Sequence, residues 1–162
     1  MKSFRSALSC QLLLALIVAP LASGVAVARD AVPFKATVAI TERIQEGTEG
    51  CFMNGYITGT GTAAHLGKVT LATTDCINPI SATAFSFASN QLILTAANGD
   101  QVFATYSGIL STEGTVGVVT GGYQIVGGSG RFSEATGAGT VQGMQDMTTG
   151  KGQIQVTGTI SR

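Results

Sequence analysis

The sequence predicts an all-β fold: one antiparallel barrel of eight or nine strands, with eight favoured. Three observations predict it. Apolar residues recur with period two, which puts one face of each segment in a core and the other in solvent. Turn chemistry separates these segments at short, regular spacing. No stretch of the mature chain shows a long apolar stripe of helical period. Many short strands so spaced make a sandwich or a barrel, and a barrel is favoured because it leaves no edges in a chain poor in the charges that protect edges.

The elements follow in order. Over residues 32–41, Val32, Phe34, Ala36, Val38 and Ile40 share one face, with Pro33, Lys35, Thr37, Ala39 and Thr41 on the other. Residues 68–75 alternate Val69 and Leu71 against Lys68 and Thr70, and residues 152–161 set Ile154, Val156 and Ile160 against Gln153, Gln155, Thr157 and Thr159. Weaker strands are expected near 52–60, 82–88, 91–97, 101–110, 115–126 and 137–147, where Thr, Val, Ile, Tyr and Phe suit a pleated surface. Asn98-Gly99 is a strong hairpin signal, residues 148–152 offer a second, and Asn78-Pro79 reads as the start of a turn. Glycines within strands, at Gly55, Gly59, Gly108, Gly117 and Gly143, fit the bends of a closed sheet.

The first 28 residues read as a signal peptide. Lys2 and Arg5 form a basic start, residues 12–22 a short apolar run, and Ala26-Val27-Ala28 a small-x-small cleavage box. Cleavage there leaves residues 29–162 as a single barrel domain. Loss of Lys2 and Arg5 leaves seven basic against nine acidic residues, a net charge of −2. No basic patch invites nucleic acid, and no charge run or amphipathic helix invites a membrane surface. An exported chain with two remaining cysteines favours a Cys51–Cys76 disulfide. Two cysteines and the single histidine, His65, fall short of a zinc shell, so no metal and no cofactor are expected.

The glycine-rich stretch at residues 127–139 (GGSGRFSEATGAG) invites comparison with phosphate loops. A dinucleotide fingerprint needs a third glycine where Ser133 stands, and the Gly-Lys-Ser/Thr of a P-loop is absent. A strand pattern follows instead of a long helix. The stretch therefore reads as a corner, with Gly127, Gly128, Gly130, Arg131, Phe132 and Gly137 as its defining residues and one short helical turn at its centre.

This segment, with the strand before it, resembles the Gly-Gly-x-Gly-(Lys/Arg)-Phe-x-x-Ala-x-Gly signature of the dirigent and allene oxide cyclase barrel superfamily. Residues 94–108 are similar to the preceding hairpin in secreted bacterial relatives. The resemblance covers about the last 80 residues. It implies an eight-stranded barrel with an apolar interior that often associates into oligomers. It transfers no catalytic residue.

The residues themselves yield no assignable catalytic set. His65 reads as a turn residue rather than a general base. Glu42, Glu46 and Glu49 fall near a reversal after the first strand, and Asp75, Asp100, Glu113, Glu134 and Asp146 near strand ends or turns. Glu134 and Asp146 are the carboxylates to inspect for burial, and Arg131 could pair with Glu134. Tyr56, Tyr106 and Tyr123 could line a mouth. Small residues expected to face inward (Ala36, Ala96, Ala104, Gly117, Gly139) leave free volume, so an apolar cavity is expected, with the carboxylates and Arg131 outside it. The expectation is an exported, non-catalytic barrel that binds a small apolar ligand or serves as a structural or assembly module, with self-association as its other contact. Nucleic acid and membrane are not expected partners. The alternative is an isomerase or cyclase acting on an apolar substrate inside the barrel.

Overall fold

A computed structural model of the chain describes residues 30–48 and 50–162. The expected signal peptide and Glu49 lie outside the described residues. The rest forms a closed barrel in which each strand pairs antiparallel with the next: β1 (Val32–Glu46), β2 (Met53–Ala63), β3 (Gly67–Ser81), β4 (Ala84–Ala96), β5 (Gln101–Glu113), β6 (Val116–Gly128), β7 (Thr136–Asp146) and β8 (Lys151–Ser161). Closure is made by β1 and β8, with Val32 opposite Ile160.

There are eight strands, not nine. The segments expected at 82–88 and 91–97 are one strand, β4, with a register shift between Ser89 and Leu92 against β5. The extra residue resets the alternation, so Phe87 and Ser89 face inward before the shift and Leu92, Leu94 and Ala96 after it. Asn78-Pro79 does not begin a turn. Both lie in β3, opposite Ser86 and Phe85, and the reversal comes at residues 82–83. Asn78 instead anchors the neighbouring loop, its Oδ1 accepting the Phe52 N–H at 2.9 Å.

The two ends of the barrel differ. One end, the floor, carries the connections at 64–66, 97–100 and 129–135. It is sealed by Phe132, Ala135, Val102, Ile160 and Leu66, all buried. Removing a large apolar side chain of this kind from water is worth about 1.5–3 kcal/mol. The other end, the rim, carries the connections at 47–52, 82–83, 114–115 and 147–150. A disulfide joins Cys51 in the first of these to Cys76 on β3, with Cα atoms 5.1 Å apart.

The corner stretch closes the floor. Gly127 (φ 142°) and Gly130 (φ 58°) take positive φ, where a side chain is strained. Gly130–Phe132 makes a single 3-10 turn that drives the Phe132 ring into the core. The N–H groups of Ser129, Phe132, Ser133 and Ala135 all donate to backbone carbonyls. Those donors are therefore spent within the corner. Arg131 clamps it from outside: Nε lies 3.1 Å from Asp100 Oδ2, and a terminal nitrogen donates to the His65 carbonyl at 2.9 Å. His65 takes positive φ in its turn, with Nε2 3.0 Å from the Pro33 carbonyl oxygen.

Candidate functional site

The inward faces of the strands build an apolar lumen. Phe34, Ala36, Val38 and Ile40 line it from β1, Leu71 from β3, Leu92 and Leu94 from β4, Val102 and Ala104 from β5, Ile125 from β6 and Val156 from β8. An eight-stranded barrel is wide enough either to be filled by side chains or to hold one small ligand. Here a cavity of about 80 Å³ remains. That exceeds the roughly 10–15 Å³ needed for one water, so the lumen is not packed solid. Of the small residues expected to leave this space, Ala36 and Ala104 line it, whereas Ala96 is buried away from it and the inner faces of Gly117 and Gly139 are covered by Met147 and Leu110 and by Tyr123.

At the rim end the same inward faces turn polar. Glu42 follows Ile40 on β1, Thr73 and Asp75 follow Leu71 on β3, Tyr106 follows Ala104 on β5, and Gln145 lies beyond Val141 on β7. Glu42 thus sits within a strand that runs on to Glu46, not at a reversal, and Asp75 is a buried mid-strand residue rather than a strand end. The expectation that the carboxylates lie outside the cavity fails for these two. It holds for the pair singled out by the sequence: Glu134 and Asp146 are both exposed. Asp146 instead holds the rim turn, its Oδ1 accepting the Thr148 N–H at 2.8 Å and hydroxyl at 2.6 Å, and these bonds lower its pKa.

Gly55 brings the two inner carboxylates together. It stands opposite Asp75 in the β2–β3 ladder, and a Cβ there would strike Glu42 Oε1. The missing side chain lets Glu42 lean across β2 toward Asp75. Gln145 Nε2 donates to Glu42 Oε2 at 2.6 Å, and the Tyr106 hydroxyl donates to Asp75 Oδ1. Tyr106 is itself placed by Thr73, whose hydroxyl lies 3.3 Å away and 2.9 Å from that of Ser89, and by Phe87, whose ring centroid lies 5.9 Å from its own.

Burial dominates the electrostatics. It pushes the Asp75 pKa up to about 7; the Tyr106 hydrogen bond opposes the rise and the Glu42 charge adds to it. Glu42 is likewise raised by burial, against the pull of Gln145. The Tyr106 phenol is raised by burial and by the adjacent Asp75, so it remains a donor. A carboxyl that titrates near neutrality beside an apolar space can both hold and release a proton.

Deeper in the lumen, Tyr123 lies over two glycines. Cβ atoms at Gly139 and Gly158 would come 2.7 Å and 2.6 Å from its ring and hydroxyl. Its ring packs 6.3 Å from that of Phe34, and its buried hydroxyl has no hydrogen-bond partner. Such a group costs about 1–3 kcal/mol relative to a satisfied one. Of the three tyrosines, then, two face the lumen, while Tyr56 is exposed. Among the described residues no group of acidic, cysteine and histidine side chains is arranged to hold a metal ion.

Comparison with protein-family models, with curated proteins and with solved structures gives no match to this chain.

Proposed function

We propose that the protein is an exported binding barrel that holds one small, mainly apolar molecule in its lumen, with a polar group of that molecule at Glu42, Asp75 and Tyr106. The observation behind this is the apolar cavity of about 80 Å³ with the buried Asp75 carboxyl and the half-buried Glu42 carboxyl at one end. The resemblance to allene oxide cyclase barrels is consistent with it. Native mass spectrometry of protein purified from its own host tests the reading. The expected result is a small-molecule mass that is retained under native conditions and lost on denaturation. A ligand-free mass, together with no chemical-shift response to toluene as an apolar probe, would overturn it.

Export is part of the same proposal. Its supports are the N-terminal pattern and the disulfide, which persists in oxidising compartments. No helix among the described residues is long and apolar enough to cross a membrane. The outer wall exposes Thr58, Thr60, Thr62 and Thr70 on β2 and β3, and Ile109, Val118, Val126 and Met144 on β5, β6 and β7. Amino-terminal sequencing of the exported protein should begin at Arg29; a start at Met1 would remove this part of the reading.

A second reading, an isomerase or cyclase acting on an apolar substrate in the lumen, is favoured by Asp75 specifically. Its carboxyl, with a pKa raised to about 7 by burial, suits proton transfer at neutral pH.

A further inference from the structure

The polar end of the lumen gathers negative charge and offers nothing to balance it. Glu42 enters from β1 and Asp75 from β3, and among the described residues no lysine, arginine or histidine lines the cavity. The described basic side chains (Lys35, Arg43, Lys68, Arg131, Lys151, Arg162) and His65 are all exposed. The donors that do reach the carboxylates are neutral, Gln145 on Glu42 Oε2 and Tyr106 on Asp75 Oδ1. Each bond occupies one oxygen. The other oxygens, Glu42 Oε1 and Asp75 Oδ2, take no hydrogen bond, and neither is sealed within the protein.

A second feature of the same cavity is independent of the carboxylates. Tyr123 lines it further in, is 6% exposed, and carries the one buried side-chain polar atom left without a partner among the described residues. Between the two ends the wall is apolar, formed by Val38, Ile40, Leu71 and Leu94. The occupant that fits is cationic at one end and apolar along its length. An ammonium brings three donors and a positive charge to two carboxylates with free oxygens. A neutral alcohol brings no charge, and a carboxylic acid is repelled.

We propose that the lumen binds a hydrophobic amine, its ammonium group held between Glu42 and Asp75 and its apolar body directed toward Tyr123. The proposal rests on the ligand-binding reading above and names the chemical class of the ligand. The groups that set the charge around the ammonium are Glu42 on β1, Asp75 on β3 and Tyr106 on β5. The other strands face it with uncharged side chains: Ile57 on β2, Phe87 on β4, Val119 on β6, Gln145 on β7 and Ile154 on β8. Because burial raises the Asp75 pKa to about 7, amine affinity increases as pH rises through about 7, and Glu42, also raised by burial, acts in the same direction.

Chemical-shift titrations of the full mature chain with hexylamine, hexan-1-ol and hexanoate test this. At pH 8 the amine should bind about tenfold more tightly than the alcohol, the difference expected of a charge-assisted hydrogen bond over a neutral one, and hexanoate more weakly than either. Glu42→Gln and Asp75→Asn remove the charge and should each narrow the gap between amine and alcohol affinity, and a dispersed amide spectrum of each variant shows that it folds. Equal binding of amine and alcohol, or an amine preference unchanged in both variants, overturns the amine inference and leaves the binding barrel standing. Failure of all three probes to bind overturns both.

Discussion

Tyr106 and Asp75 are 31 residues apart in the chain and belong to strands that do not pair, yet the tyrosine hydroxyl spans the inner face of β4 to donate to the carboxylate. The bond serves the charged form of Asp75 and lowers a pKa that burial raises. Tyr106→Phe should therefore destabilise the barrel more at pH 8, where the carboxylate is charged, than at pH 5. The difference should be about 1–3 kcal/mol, the cost of leaving a buried acceptor unsatisfied. Urea unfolding at the two pH values measures it. Equal losses at both would mean that the phenol only fills space.

Asp75 itself makes stability depend on pH with a definite sign. Its folded pKa of about 7 lies above the ordinary value of 3.8, so the native state holds a proton that the unfolded chain releases. The stabilisation is complete below the ordinary value and is lost as pH rises through about 7, and Glu42 acts in the same direction. A shift of this size corresponds to on the order of 4 kcal/mol. Asp75→Asn keeps an acceptor for Tyr106 and removes the titration. It should match the parent protein near pH 4 and exceed it in stability at pH 8. A variant less stable than the parent at pH 8 would contradict this.

Tyr123→Phe removes a hydroxyl that is buried without a partner. In ligand-free protein the change should be neutral or stabilising by up to about 1–3 kcal/mol, unlike most truncations of a buried side chain. Thermal unfolding of ligand-free protein decides it; a loss of several degrees in Tm would show that the hydroxyl is satisfied.

Gly130→Val meets two obstacles. The backbone sits at φ 58°, and the new Cβ would run into Oδ1 of Asp100, whose Oδ2 pairs with Arg131. A loss of about 2–3 kcal/mol is expected from the conformation alone. Gly130→Asn, which tolerates this φ better, should lose less. Denaturant midpoints for the two variants give the comparison, and equal losses would assign the cost to crowding alone.

Reduction of the Cys51–Cys76 bond, which closes a separation of 25 residues, should cost about 3.5 kcal/mol on the chain-entropy model. The double variant Cys51→Ala/Cys76→Ala should show this as a lowered denaturant midpoint, and an unchanged midpoint would count against it.

The barrel and its corner were legible because both rest on local rules. Alternation marks a strand, and glycines followed by Arg131-Phe132 mark a reversal that buries one ring. The inner carboxylates were harder to see. The alternation of residues 34, 36, 38 and 40 lands next on Glu42, and that of 69 and 71 lands on Thr73 and Asp75. Continuing the period past the last apolar residue would have placed both in the lumen. A charge that interrupts an apolar run looks like a strand end, a rule that fails where a neighbouring strand offers a glycine for the side chain to lean over. The meeting of Glu42, Gly55 and Asp75 depends on register across three strands, which no local pattern specifies. The single β4 was missed for the converse reason: a bulge interrupts the alternation without ending the strand.

Because the ladder closes between β1 and β8, Val32 lies beside Ile160 and the ring has no privileged starting point. A chain with these two positions joined by a short flexible linker, and opened instead between Thr148 and Thr149, would retain every strand pairing. Its ends would then emerge at the rim. Such a circular permutant could be tethered to a surface or to another domain through the end of the barrel that bears Glu42 and Asp75, with the sealed floor pointing away.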